Sequence, residues 1–187
     1  MPDSHPLQAL HGLVVLERGW LSSNNVLIPD AAGATLVDSG HCVHAPQTLA
    51  LVRQALQGAV LARVINTHLH SDHCGGNATL QRALGAAVVI PPGQAAAVAA
   101  WDEDRLSHRP TGQRCERFQA QDTLQPGALL RLGGRAWQVL ASPGHDPDSV
   151  MLFDTTGGVL LSADALWEHG LGVVFPELEG RDAFDAA

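Results

Sequence analysis

Residues 67–76 read Thr67-His68-Leu69-His70-Ser71-Asp72-His73-Cys74-Gly75-Gly76, and this stretch decides the fold. Four side chains able to bind a metal, His68, His70, Asp72 and His73, fall within six positions. They follow Ala62-Arg63-Val64-Ile65-Asn66, which has the character of a buried strand reaching its end. On a helix of ~3.6 residues per turn, imidazoles two positions apart diverge by about 200°. A loop leaving a strand can instead turn both toward one ion. Asp72 and His73 are adjacent and can address a second ion nearby. Neutral imidazole and carboxylate are ligands that borderline metals such as zinc accept, and no thiolate is required. With ten histidines in 187 residues a polar loop rich in histidine is the bland alternative. Three histidines beside an aspartate within one such short loop favour a metal site.

Two further ligand candidates occur downstream in similar settings. Ser142-Pro143-Gly144-His145 follows the apolar run Trp137-Gln138-Val139-Leu140, which places His145 on a turn after a strand. Asp164 follows Gly158-Val159-Leu160-Leu161-Ser162-Ala163, again at a strand end. Either residue alone would fit a turn or a cap. Together the three loops describe ligands converging at one edge of a sheet.

His68-x-His70-x-Asp72-His73, then His145 in a Pro-Gly-His turn, then Asp164, resembles the metallo-β-lactamase-fold hydrolases. An earlier marker of that family, Asp-x-Gly after a strand, is present as Leu36-Val37-Asp38-Ser39-Gly40. The resemblance runs from about Asn24 to Phe175 and implies an α/β (α+β) fold, a four-layer αββα sandwich. It implies two divalent metal ions, zinc first, with iron or manganese as alternatives. His68, His70 and His145 would hold one, Asp72 and His73 the second, and Asp164 would bridge them. Asp38 would be a buried structural residue near the site.

The implied chemistry is hydrolysis by a hydroxide shared between two ions ~3.5–4 Å apart, which attacks a carbonyl. Asp72 would orient that nucleophile and move its proton, as a catalytic residue. Thr67-His68-x-His70-x-Asp72-His73-x-Gly75-Gly76-Asn77 is most similar to hydroxyacylglutathione hydrolases, so a small thioester or ester is the expected substrate. Those enzymes hold glutathione with lysine and tyrosine, and this chain contains neither. Acyl-homoserine lactonases also rely on a tyrosine, and zinc β-lactamases typically replace the residue at Asp164. Trp167 and His169 are candidates for lining the substrate pocket. An alternative from another class is a sulfur dioxygenase of the same fold, which binds one iron at positions matching His68, His145 and Asp164. A binding or regulatory protein with a degenerate site is a third reading.

The bulk numbers narrow the field. A chain of 187 residues and 19.7 kDa fits one domain with its own core. Hydrophobic content of 45% and a mean hydropathy of +0.05 argue against disorder. No apolar run approaches the ~20 residues of a membrane span, and the N-terminus lacks signal-peptide character. A cytoplasmic protein is expected, with no membrane partner. Net charge of −8 disfavours nucleic acid, which needs a basic stripe. All eleven basic residues are arginine, which removes lysine Schiff-base chemistry. Three cysteines at no zinc-ribbon spacing read as reduced thiols, and Cys74 reads as a buried bystander to the motif.

Along the chain, short strands are expected at Leu13–Arg18, Asn25–Ile28 and Ala34–Val37. A helix follows over Pro46–Gln57, stopped by Gly58. Asn77 is expected to cap a helix over Ala78–Leu84 that Gly85 ends. A strand over Ala86–Ile90 and a helix over Gln94–Asp104 come next, then a loop from Ser107 to Arg117. Strands recur at Ala128–Leu132, Ala136–Leu140, Val150–Phe153 and Val159–Leu161, with hairpin turns at Gly133-Gly134 and Thr156-Gly157-Gly158. The family's last histidine, in a turn beyond Asp164, has no counterpart. Gly180 to Ala187 reads as a helix just starting, so the sequence looks truncated and the second metal site weak.

Overall fold

Adjacent residues of a strand point to opposite faces, and the central strands here are apolar on both. In the computed structural model, which describes residues 12–167, 170–178, 180 and 182, strand β3 (Ala34–Val37) is buried at every position. It sits inside a six-stranded sheet ordered β1-β2-β3-β4-β5-β6. The others are β1 (Val14–Leu16), β2 (Asn25–Ile28), β4 (Leu61–Ile65), β5 (Ala87–Ile90) and β6 (Asp122–Thr123). Leu27, Leu36 and Val64 point to one side, against Val52 and Leu56 of helix α1 (Ala45–Leu56). Leu80 of α3 (Asn77–Leu84) joins that cluster. Ile28, Val37 and Ile65, each one residue further on, point to the other side and meet Trp137, Val139 and Leu152.

Those three belong to a second, antiparallel sheet. It is ordered β10-β9-β8-β7, from β7 (Leu129–Leu132), β8 (Arg135–Ala141), β9 (Val150–Asp154) and β10 (Leu160–Leu161). The protein is therefore a mixed α/β layered fold with two sheets face to face, as the resemblance implies. The helices α1 and α3 cover the outer face of the first sheet. No helix among the described residues is long and apolar enough to cross a membrane.

Strands β3, β4 and β5 run parallel, so their C-terminal ends open on one edge. Asp38 leaves β3 there, and residues 66–76 leave β4. Ligand sites gather at this edge of parallel sheets.

Local readings differ from the structure in instructive places. Helix α1 ends with Gln57 in the left-handed region (φ 49°) ahead of Gly58. The helix expected over Gln94–Asp104 stops at Ala100 (α4, Ala95–Ala100), where Trp101 turns left-handed (φ 55°). One local and one tertiary interaction break it. The Asp102 carboxylate accepts from the Asp104 and Arg105 amides, and the Trp101 ring packs edge-on against Phe118 at 5.4 Å. Gly133 and Gly134 form a two-residue hairpin turn with positive φ at both, as expected. The helix start expected at Gly180–Ala187 falls largely on residues outside those described.

Candidate metal centre

Three of the four histidines, His68, His73 and His145, have the nitrogen that faces the centre freed by a bond on the opposite side of the ring. Asp38 begins this ordering. It is 3% exposed and left-handed (φ 57°), and its Oδ1 accepts from the Thr67 amide at 2.9 Å. Its Oδ2 accepts from Thr67 Oγ1 at 2.9 Å and from His73 Nδ1 at 2.8 Å. With its own proton given to Asp38, Thr67 Oγ1 is an acceptor toward His68 Nδ1, 3.2 Å away. His145 Nδ1 donates to the Val173 carbonyl at 2.6 Å. Hydrogen bonds of this kind set the ring orientation and leave Nε2 of neutral His68 and His145 as lone-pair donors, and Nε2 of His73 becomes one when its second proton is given up.

Those atoms converge. His68 Nε2 lies 3.1 Å from His70 Nδ1, which lies 2.9 Å from His145 Nε2. Tetrahedral ligands at ~2.0–2.1 Å from a zinc-like ion stand ~3.3–3.4 Å apart, so a small expansion admits an ion. His73 Nε2 is buried with no hydrogen-bond partner, although Asp164 Oδ1 is 3.2 Å away. The two atoms are close without being aligned as donor and acceptor, the geometry of ligands facing a shared point. Asp164 Oδ2 lies 3.3 Å from His145 Nε2. The carboxylate thus spans from one cluster to the other.

Five of the six residues expected as ligands are tightly gathered, as His68–His70–His145 and His68–His73–Asp164. Asp72 stands at the rim, with its side chain 37% exposed and Oδ2 3.7 Å from His73 Nε2. It sits with His73 on α2 (Ser71–Cys74), a single helical turn rather than the open loop expected. A cleft of about 490 Å³ opens beside the centre, lined by His70, Asp72, His145 and Asp164 together with Arg114, Trp167 and Phe175. Trp167 is half exposed on β11 (Leu166–Trp167). His169 falls outside the described residues.

Several positioning residues escaped the sequence reading. Asn77 does not cap α3. It is buried inside the first turn, where Oδ1 accepts from Ser39 Oγ at 2.7 Å and Nδ2 donates to Asn66 Oδ1 at 2.6 Å. Asn66 Nδ2 and the Ser39 amide both donate to the His73 carbonyl, at 3.0 and 2.7 Å. This network fastens α2 to the ends of β3 and β4. Gly75 and Gly76 make the approach possible, because a Cβ at either would collide with backbone atoms of Cys42, Ser71 or Ser39. The Gly75-Gly76-Asn77 string was the visible signal.

Packing four imidazoles together has electrostatic consequences. Burial, then the neighbouring rings, pushes His68 well below its ordinary value and His70 down to about 3. Burial also lowers His145. For His73 burial is outweighed by Asp38 and Asp164, which hold it well above its ordinary value. Below pH ~6.5 the unfolded chain takes up protons that folded His68, His70 and His145 refuse. Their contribution is complete above that pH and is lost as pH falls toward 3. His73 acts oppositely, contributing below ~6.5 and fading as pH rises. With three groups against one, the Tm of the metal-stripped protein is expected to drop between pH 7 and pH 4. A melting series in which Tm is flat or rises on acidification would contradict this.

Comparison with known proteins follows the same lines. A family model described as the metallo-beta-lactamase superfamily matches residues 18–186. A hydroxyacylglutathione hydrolase of Nitrobacter winogradskyi is 34% identical over 153 residues, covering 80% of this chain and 50% of its own. One of Anaeromyxobacter dehalogenans is 32% identical over 161 residues, covering 85% and 52%. The chain spans about half the length of these curated relatives. Among solved structures, a metallo-beta-lactamase family protein of Thermus thermophilus superposes with a TM-score of 0.70 at 26% identity, over 88% of this chain and 63% of that one.

Proposed function

The chain belongs to the metallo-beta-lactamase superfamily, and on that premise we propose that it is a metal-dependent hydrolase of small thioesters or esters. His68, His70 and His145 would hold one divalent ion, Asp72 and His73 would hold a second, and Asp164 would be shared between them. The observation that carries this reading is the Asp164 carboxylate, with one oxygen toward His145 and the other toward His73. Bound there, ions of the zinc class supply Lewis acidity that activates water near neutral pH and polarises a carbonyl. The second ion would bind more weakly, since the Asp72 side chain is 37% exposed and stands at the rim.

The chain's own residues do the rest. Asp38 and Thr67 fix the rings of His73 and His68 so that no reorganisation is needed during reaction. Asp72, on the cleft side of the centre, is the group placed to accept and pass on a proton. Phe175, 4.5 Å from His70 and 5.6 Å from His145 between ring centroids, shields the histidines from bulk water. Trp167 offers an apolar wall and Arg114 a cationic side chain to an anionic acyl or thiol moiety. Hydroxyacylglutathione hydrolases among the relatives support a thioester substrate.

The test is a panel of small thioesters, esters, lactones, β-lactams and RNA, run on metal-stripped protein and after restoring zinc, manganese or iron. Thioester cleavage that returns with metal is the expected result. RNA cleavage, or β-lactam turnover without thioester activity, would overturn it. Oxygen uptake on glutathione persulfide with iron, and no hydrolysis, would assign the dioxygenase alternative. Metal-independent inertness across the panel would point to a binding protein.

A further inference from the structure

A second group of ligand atoms lies apart from the histidine centre. Cys74 closes α2, immediately after His73, but its sulfur points away from the centre into an apolar cluster with Leu69, Ala78, Leu106 and Phe118. There Cys74 Sγ meets Cys115 Sγ at 3.5 Å. His108 brings a ring nitrogen to the pair, and the three ligand atoms lie within 4.8 Å of one another. Cys74 is fully buried, His108 is 1% exposed, and Cys115 is half buried, which leaves one approach from solvent.

His108 is the telling member. Its Nε2 lies 3.0 Å from the Leu69 carbonyl, while its Nδ1 is buried with no partner among the described residues. A buried nitrogen without a partner costs about 1–3 kcal/mol, and native structures rarely leave one unexplained. Metal-binding histidines characteristically give one ring N–H to a backbone carbonyl and the other nitrogen to the ion.

We propose that Cys74, Cys115 and His108 form a third metal site, selective for a thiolate-seeking divalent cation of the zinc type, with water in the fourth position. Two thiolates and one imidazole around a divalent ion sum to zero charge, which suits an apolar surround. Zn–S bonds of ~2.3 Å at a tetrahedral angle put the sulfurs ~3.8 Å apart, so the pair need open by only a few tenths of an ångström. A disulfide at ~2.05 Å would require it to close by ~1.5 Å. Binding forms two metal–sulfur bonds and one metal–nitrogen bond, and it releases the two thiol protons to solvent. No oxidant or reductant takes part.

Such an ion would staple the wall of the cleft. Cys115 and His108 belong to the irregular stretch 101–121, whose Thr111, Gln113 and Arg114 line the cleft. Cys74 belongs to the helical turn that carries Asp72 and His73. The only other direct tie described between α2 and this wall besides the cysteines is the Ser71 amide, which donates to Gln113 Oε1 at 2.7 Å.

Cobalt(II) tests the site without any assay of activity. The histidine–aspartate centre has no sulfur ligand, so a thiolate-to-cobalt charge-transfer band in the near ultraviolet can arise only elsewhere. The reduced 187-residue chain loaded with cobalt should show that band. Cys115→Ser should lose it together with one metal equivalent per chain, and Cys42→Ser should keep it. In the wild-type chain, zinc should also shield Cys74 and Cys115, but not Cys42, from alkylation mapped by mass spectrometry. That measurement stands even if Cys115→Ser does not fold. Absence of the sulfur band in the reduced wild type, or its survival in Cys115→Ser, overturns the proposal. So does recovery of Cys74 and Cys115 as a disulfide from protein that gives no band when reduced, which would make them a redox pair.

Discussion

Replacing His145 by alanine is expected to lower kcat/KM by about three orders of magnitude for whichever substrate the panel identifies, with loss of metal from the three-histidine cluster. The figure follows from the several kcal/mol that a metal contributes to transition-state stabilisation, at tenfold per ~1.4 kcal/mol. His145 is the sharpest probe because its Nε2 touches both clusters, 2.9 Å from His70 Nδ1 and 3.3 Å from Asp164 Oδ2. Water filling the gap is not anchored to the fold, whereas His145 is tied to the Val173 carbonyl. Metal analysis and steady-state kinetics on the purified variant check this. Retention of full metal and activity would remove His145 from the centre.

Asp38→Asn is expected to weaken the ion at His73 by about 10–100-fold, the usual effect of losing a partner that orients a ligand. The carboxylate accepts from three donors, the Thr67 amide, Thr67 Oγ1 and His73 Nδ1. An asparagine of the same shape turns one of those acceptors into an N–H that faces another donor. With that N–H at the Oδ2 position His73 loses the bond that points Nε2 into the centre, and with it at Oδ1 the Thr67 amide loses its acceptor; either way a buried donor is left unpaired at about 1–3 kcal/mol. A cooperative melting transition together with a smaller loss of affinity at the three-histidine ion would separate this effect from general unfolding. Equal affinity for both ions in the variant and the wild type would show that Asp38 does not orient His73.

The ligand-bearing loops were legible because their chemistry is local. Three histidines and an aspartate after an apolar run carry their meaning in spacing alone, and His145 and Asp164 gain theirs by repeating the strand-then-turn setting. The hairpin at Gly133-Gly134 was equally open to reading, since positive φ at two successive positions selects glycine. Asn77 was not. Its position before an apolar helix matches a cap, and only the approach of Ser39 and Asn66, 38 and 11 residues distant in sequence, turns it into a buried strut. Trp101 escaped for a related reason, because contact with Phe118 outweighs the helical preference of an alanine-rich run.

By itself, then, the sequence determined the residue types at the centre, the edge of the sheet where they gather, and the α/β class that strands alternating with helices imply. Only the tertiary structure decided which nitrogen of each ring faces inward, that Asp164 reaches His73 and His145 at once, and that Asp72 stands at the rim. It alone decided that Cys74 turns from the histidines toward Cys115 and His108. Spacing along a chain constrains which groups leave the same strand end. The direction of a lone pair depends on hydrogen bonds from the opposite side of the ring, and here the partners come from β3, from Thr67 and from the backbone at Val173. The first kind of information is periodic and short in range, and the second exists only once the sheets have packed.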